Sequence, residues 1–218
     1  MSYRQERNYE NINKWQFEQV GKYGIPPIAP EITGYCKSTD NFISFNYAKG
    51  YNKETENTGV HFFIDDYQFN RVWTNPDAYI ELLQQFRIVF APDFSTYSDW
   101  PKALQIYNHY RKHWVAAFWQ ANGISVVPTI SWSDESSFDW CFDGEPVGAA
   151  VAVSSVGTQV SKESKALFLQ GYNEMLKRLQ PELIYFYGRV PEGINTDKII
   201  NIAPFYKQVR SRCSDERG

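Results

Sequence analysis

The chain has 218 residues, 43% of them hydrophobic and 22% charged, which is ordinary for one soluble globular domain. A formal net charge of −3 gives no general attraction to nucleic-acid phosphates, so any such contact must be local. No stretch reaches the roughly 20 apolar residues of a membrane span, the N-terminus has no signal-peptide core, and the three cysteines lack zinc-site spacing. We therefore predict a cytoplasmic protein with reduced thiols and no membrane partner.

Proline and charge patterns divide the chain into three predicted parts. Residues 1–41 form an irregular N-terminal extension, in which the proline-rich stretch 24–30 is extended because proline and pre-proline positions disfavour helical geometry. Residues 42–208 form a single α/β domain. The charged residues 209–218 form a flexible tail.

Short apolar runs that end in polar or acidic residues recur along the domain and predict its strands. A first strand is expected at 42–48, and five further runs follow it. These runs cover residues 61–64, 87–92, 124–130, 149–153 and 183–186. The second and third of them are apolar on both faces, which is typical of a sheet covered on both sides.

Helix signals lie between these runs. Four helices are predicted. The first starts at Asn75-Pro76, the second covers 101–122, the third begins after a Ser161 cap, and the last follows Asn195. The alternation predicts an α/β fold with a mostly parallel sheet of five or six strands and helices on both faces. Both an open doubly wound sheet and an incomplete (β/α) barrel fit this order, and both bind ligands at the carboxyl ends of the strands.

The long helix at 101–122 carries two histidines at a spacing that suits a metal. His109 and His113 lie off its apolar stripe and flank Arg111 and Lys112. That charge pattern favours a solvated helix face over a metal site.

Three aspartates follow predicted strands. Asp65 and Asp66 follow one strand and Asp93 the next, and neighbouring parallel strands are about 4.8 Å apart. Asp66 and Asp93 are therefore candidates for a catalytic acid/base pair or for ligands of Mg²⁺ or Mn²⁺. The alternative is that each aspartate accepts hydrogen bonds within its own turn.

The other strand ends carry residues suited to a nucleotide. Trp132 and Tyr187 can stack on a base or sugar or pack in the core, and the small residues 154–158 can hold an anion or form a plain turn. Arg189 can neutralise a phosphate or lie on the surface. The ligand-binding candidates are Asp65, Ser95, Trp132, Ser154, Ser155, Gly157, Tyr187 and Arg189.

Several of these residues also form motifs that resemble a known family. The motifs include Asp65-Asp66-Tyr67-Gln68-Phe69, Pro92-Asp93-Phe94-Ser95, Ser131-Trp132, Val153-Ser154 and Tyr187-Gly188. They resemble domain-of-unknown-function family 4417, found in phages, plasmids and conjugative elements of low-GC bacteria. The resemblance covers roughly residues 24–190 and implies a mobile-element context without an activity.

Three functional hypotheses fit these observations. The first is a phage or mobile-element protein that binds a nucleotide or a nucleic-acid terminus at a strand-tip pocket. If it is an enzyme, it catalyses metal-dependent phosphodiester or N-glycosidic hydrolysis.

The second hypothesis is a non-catalytic accessory of replication, transfer or host-defence blocking, whose exposed Tyr110 and Trp119 contact a host or phage protein or a second copy. The third is DNA binding through Arg111, Lys112 and the tail residues Lys207, Arg210 and Arg212.

Overall fold

Seven short strands form two parallel sheets in the computed structural model of the chain, which describes residues 16–31 and 36–203. The first sheet contains, in this order, β1 (Asn41–Ser44), β2 (Thr58–His61), β3 (Ile88–Phe90) and β4 (Val126–Val127). The second contains β5 (Ala150–Ser154), β6 (Leu183–Tyr187) and β7 (Ile199–Ile202). The predicted α/β class with parallel strands is confirmed, but the described residues form seven strands in two sheets rather than five or six strands in one. The predicted tail, 209–218, lies outside the described residues.

The two sheets meet between β4 and β5. Thr129 and Ala152 form an isolated parallel bridge, and the N–H of Ile130 donates to the carbonyl of Ala152 at 2.8 Å. On the far side, the Phe42 ring from β1 lies 5.2 Å from the Tyr185 ring of β6, centroid to centroid. The strands of each sheet follow one another in chain order. The contact between Phe42 and Tyr185 shows that the first strand packs against the second sheet.

Three predicted elements differ from the structure. The strand predicted at 61–64 lies earlier, since β2 covers Thr58–His61 and residues 62–64 follow it outside the sheet. The predicted strand at 42–48 ends at Ser44 and is followed by a helical turn, α1 (Phe45–Ala48), because Phe45 and Ala48 are both buried at helical spacing. The helix predicted after Asn195 is wrong for the described residues, which form β7 instead. Three β-branched isoleucines within its four residues favour a strand that pairs with β6.

Four further helices cover the sheets. They are α2 (Arg71–Thr74), α3 (Ile80–Leu83), α4 (Lys102–Ala121) and α5 (Lys162–Leu179). The Ser161 cap of α5 is confirmed, since its hydroxyl accepts a hydrogen bond from the N–H of Ser164 at 3.0 Å. No helix in the described ranges combines the length and the apolar character that a membrane span requires.

Helix α4 is buried far more than its charges suggest. The predicted solvated face is wrong: His109, Lys112 and His113 are only 2%, 1% and 0% exposed. Each of them lies within hydrogen-bond distance of a backbone carbonyl, so the helix can be enclosed on its polar side as well. Trp119 is fully buried and cannot form an interface, and buried Lys112 cannot form a DNA-binding surface with Arg111.

Candidate functional site

A cavity of about 190 Å³ opens at the carboxyl ends of β3, β4 and β5. Residues that follow three neighbouring strands line it, as expected for parallel strands whose ends meet at one edge. Four of the predicted site residues are among them: Asp93, Ser95, Trp132 and Ser154. The remaining wall includes the hydroxyls of Ser131 and Thr158 and the rings of Phe94, Tyr97 and Phe168.

Asp66 joins this site through Ser95. It follows β2 in a 3₁₀ turn (Asp66–Gln68), and its carboxylate accepts hydrogen bonds from the Ser95 N–H at 3.1 Å and the Ser95 hydroxyl at 2.8 Å. The Arg111 guanidinium lies 3.8 Å from the same carboxylate and stacks on the Phe94 ring, 3.8 Å from its centroid. Asp66 therefore positions the turn that carries Asp93.

Asp93 has the most unusual electrostatic environment in the cavity. Burial raises its pKa to about 7, with a further increase from Asp66 and an opposing effect from the Lys112 ammonium. The residue as a whole is half-buried and lines the cavity. A carboxyl group with a pKa near neutrality can both donate and accept a proton under physiological conditions.

The indole of Trp132 forms one wall of the cavity and is held by α5. Its ring lies 5.3 Å from the ring of Phe168, and a Cβ atom at position 171 would overlap the indole. Gly171 is therefore required by this close approach, and a glycine within an otherwise regular helix was the sequence signal for it.

Two N–H groups of the loop after β5 are already hydrogen-bonded within the protein. The Val156 N–H donates to the Ser154 hydroxyl at 3.2 Å, and the Ser155 N–H donates to the carbonyl of Tyr187 at 3.1 Å. Ser155 also donates its hydroxyl to the carbonyl of Arg189 at 2.7 Å, which ties this loop to the one after β6. Gly157 has a φ of +78°, a conformation suited to glycine.

Three other predicted residues lie away from the cavity. Tyr187 is buried against Phe63, with ring centroids 4.8 Å apart. Asp65 is exposed, and Arg189 is exposed with its guanidinium 3.9 Å from Glu192. The structure thus brings together Asp66, Asp93, Ser95, Trp132 and Ser154 and leaves these three outside. Ser155 and Gly157, in the loop after β5, do not line the cavity either.

A buried polar face on α4 supports the site and was missed at the sequence level. Gln105 accepts a hydrogen bond from the Ser133 hydroxyl at 2.6 Å, and Asn108 donates to the carbonyl of Ser95 at 2.5 Å. One turn on, the Lys112 ammonium donates to the carbonyl of Thr129 at 2.7 Å. The available signal was the helical spacing of the polar positions 105, 108, 109, 112 and 113.

These features define a parallel α/β protein with an acidic, aromatic-walled cavity at its strand ends. Residues 17–205 match the family described as Domain of unknown function (DUF4417), so the chain belongs to this family and the predicted resemblance is confirmed. It is similar to the "Gene 1 protein" of Mycobacterium phage D29, with 37% identity over 202 residues, covering 91% of this chain and 73% of the relative. The "Gene 1 protein" of Mycobacterium phage L5 is 38% identical over 177 residues, covering 80% and 75%. No solved structure matches the chain.

Proposed function

We propose that the strand-tip cavity binds the base of a nucleotide or of a nucleic-acid terminus, and that Asp93 acts there as the acid/base in N-glycosidic hydrolysis. The observation that carries this proposal is that Asp93, whose pKa burial raises to about 7, lines a cavity together with Ser131, Ser154 and Thr158 and with aromatic residues. The phage relatives support a role in a phage or another mobile element.

The size of the cavity supports a base rather than a whole nucleotide. Its volume of about 190 Å³ is below the roughly 300–1,000 Å³ typical of pockets that enclose a drug-sized ligand. A single ring system fits such a space, while the sugar and phosphate stay outside. Trp132 and Phe168 supply apolar ring surface, and Ser131, Ser154 and Thr158 supply hydroxyls for the polar edge of the base.

The protonation of Asp93 favours acid/base chemistry. Cleavage of an N-glycosidic bond is assisted by protonation of the departing base, and an acid with a pKa near the working pH does this best. The Asp66 carboxylate helps to keep the proton on Asp93, because two nearby carboxylates resist simultaneous ionisation. Asp93 is thus the proton donor to the departing base. Asp66 assists it by raising the pKa of Asp93 and by holding Ser95 in position.

A site for Mg²⁺ or Mn²⁺ on Asp66 and Asp93 fits less well. Such ions need ionised carboxylate oxygens that are free to coordinate. The oxygens of Asp66 already accept hydrogen bonds from Ser95 and interact with Arg111, and a pKa of about 7 leaves Asp93 largely protonated below neutrality. Metal-dependent phosphodiester hydrolysis therefore has less support than N-glycosidic hydrolysis.

The proposal includes an incomplete (β/α) barrel. Sequential strand order, the bridge between Thr129 and Ala152, and the contact of Phe42 with Tyr185 support closure of the two sheets around a shared interior. In barrels of this kind, active sites lie at the carboxyl ends of the strands. The cavity at Asp93 occupies that position.

The test compares Asp93→Asn with Asp65→Asn. Asp65 is the matched control, because it is an exposed carboxylate beside Asp66 that does not line the cavity. Nucleosides, mononucleotides and short oligonucleotides are incubated with each protein, and free base is measured by chromatography. We expect base release by the unsubstituted protein and by Asp65→Asn, and a loss of at least a hundredfold in Asp93→Asn, since general acid catalysis contributes about 10²–10⁴-fold. Equal release by both variants, or none from any substrate, contradicts the proposal.

A second candidate, the non-catalytic interaction protein, is favoured by one surface. Tyr97, Trp100 and Leu104 are 57%, 37% and 48% exposed, and the rings of Tyr97 and Trp100 lie 5.0 Å apart. Exposed aromatic residues grouped in this way are typical of protein interfaces. Light scattering tests self-association through this surface. A dimer that Trp100→Ser converts to monomer supports this candidate, whereas a monomer at all concentrations contradicts pairing between copies.

A further inference from the structure

We infer that the protein has a second, buried site that binds a transition-metal ion of the zinc class through His109, His113 and Glu145. One ligand atom from each of these side chains lies within 4.8 Å of the other two, and all three residues are buried. Two imidazoles and one carboxylate form a ligand set that suits Zn²⁺ or Co²⁺ and not Mg²⁺ or Ca²⁺, which prefer oxygen ligands alone. Both histidines lie on α4, Glu145 lies in the loop before β5, and none of the three lines the strand-tip cavity.

Backbone carbonyls orient both histidines as they do in metal sites. Nδ1 of His113 lies 2.9 Å from the carbonyl of Pro26, and Nε2 of His109 lies 3.2 Å from the carbonyl of Asp143. A neutral ring that donates its one N–H to a carbonyl keeps a lone pair on the other nitrogen, and this is the usual arrangement of a metal-bound histidine.

A bound cation would account for two features of the cluster in the described part of the chain, the close approach of His113 to Glu145 and the unpartnered second oxygen of Glu145. Nε2 of His113 lies 2.9 Å from Oε1 of Glu145, so in the tautomer that donates to Pro26 two acceptor atoms face each other. Oε2 of Glu145 is buried and has no hydrogen-bond partner among the described residues. Two atoms that bind one zinc ion at about 2.0–2.1 Å can approach each other to roughly 3 Å, so the separation of His113 and Glu145 suits a shared ion.

Lys112 restricts what the site can bind. Its ammonium lies 2.7 Å from Oε1 of Glu145, donates a second hydrogen bond to Thr129 and is also attracted by Asp93. The ammonium therefore competes with a metal ion for the only carboxylate of the cluster. Removing the charge of Lys112 should therefore strengthen metal binding.

The bound ion would join three segments of the chain. Pro26 belongs to the stretch before β1, and the N–H of Ile28 donates to the carbonyl of Gly144 at 2.8 Å. Gly144 is held so close that a Cβ atom there would lie 2.8 Å from the Pro26 carbonyl and 2.9 Å from the His113 ring. A metal at this junction would fix the residues around 26 and 144 to α4.

The test measures metal in the full chain purified without added metal or chelator. Elemental analysis is expected to find close to one zinc-class ion per chain, and a chelator is expected to lower the melting temperature. Refolding with Co²⁺ is expected to give the visible absorption bands of a nitrogen- and oxygen-bound ion. His109→Gln should lose the metal, whereas His61→Gln should keep it, because His61 is an equally buried histidine whose ring packs against Phe63 and Tyr187.

Lys112→Met provides a second variant that retains the length of the side chain. It is expected to bind Zn²⁺ at least tenfold more tightly than the unsubstituted protein. A chain that contains no metal, takes up neither Zn²⁺ nor Co²⁺ on refolding and melts identically with chelator overturns the inference. Metal that remains bound in a folded His109→Gln variant overturns it as well. If neither variant folds, the metal content and the chelator response of the unsubstituted chain decide.

Discussion

The carboxylate of Asp66 accepts two hydrogen bonds from Ser95, one from the backbone N–H at 3.1 Å and one from the hydroxyl at 2.8 Å. This relationship links the turn after β2 to the turn after β3. Because Asp93 lies two residues before Ser95, it also fixes the position of the carboxyl group that we propose as the acid/base. The pair is therefore the structural basis of the cavity.

Replacing Asp66 with alanine is expected to loosen this turn. Hydrogen bonds to charged groups contribute about 1.5–3 kcal/mol each, and the side chain of Asp66 is partly exposed, so a loss of about 1–2 kcal/mol in unfolding free energy is expected. Urea denaturation measures it. Asp65→Ala is the control, because within the described part of the chain its carboxylate makes only a long contact of 3.5 Å to Gln68. Equal losses of unfolding free energy in the two variants would contradict the role of Asp66 in holding the turn that contains Ser95.

The pKa of Asp93 predicts a pH-dependent contribution to stability. Burial raises its pKa from 3.8 to about 7, so the unfolded chain gives up this proton more readily than the folded one. The stabilising contribution of Asp93 to the free energy of unfolding is present below pH 4 and is lost as the pH rises towards 7. Asp93→Asn cannot ionise, so its unfolding free energy relative to the unsubstituted protein should rise between pH 4 and pH 7 and then level off. A difference that does not vary with pH contradicts the raised pKa.

Gly171→Ala tests the packing of Trp132 on α5. The added methyl group would overlap the indole, so the ring must move, and overpacking of this kind costs about 1–3 kcal/mol. The expected result is a lower melting temperature. Asn173→Ala, on the exposed side of the same helix, is the control and should be neutral or slightly stabilising. A Gly171→Ala variant that is as stable as the control would contradict the close contact.

Glu145→Gln tests the buried ion pair with Lys112. The two side chains are 0% and 2% exposed and their charged atoms lie 2.7 Å apart. Burial alone would raise the pKa of Glu145, but the neighbouring Lys112 ammonium holds it below the usual value, so the residue is ionised in the folded protein. Removing one partner of such a pair costs about 3–5 kcal/mol. The exposed pair of Glu174 with Arg178 is the control, and Glu174→Gln should change stability little. Similar losses in the two variants would argue against a buried charge.

The sequence predicted the sheet and part of the cavity because both follow from local rules. Apolar runs that end in polar residues identified most of the strands, and parallel strands bring Asp93, Trp132 and Ser154 to one edge whatever the details of packing. Tyr187 was predicted at the same edge, but its ring faces the interior against Phe63. Which side a residue at a strand end faces depends on the tertiary packing, which a single sequence does not reveal.

The polar face of α4 could not be recognised from charge patterns alone. His109, Lys112 and His113 have the composition of a solvated surface, and only the loops that carry Thr129 and Glu145 make their burial possible. Those acceptors are distant in sequence. The strand β7 was missed for a related reason: its pairing with β6 decides its structure more than the flanking residues do.

The central claim is that a nucleotide base enters the cavity beside Asp93. Structure determination of the protein with bound nucleosides and short oligonucleotides tests this most directly. We predict a base with one polar atom within hydrogen-bond distance of the Asp93 carboxyl and its ring against Trp132. A ligand bound elsewhere on the protein, with the cavity containing only water, would contradict the account.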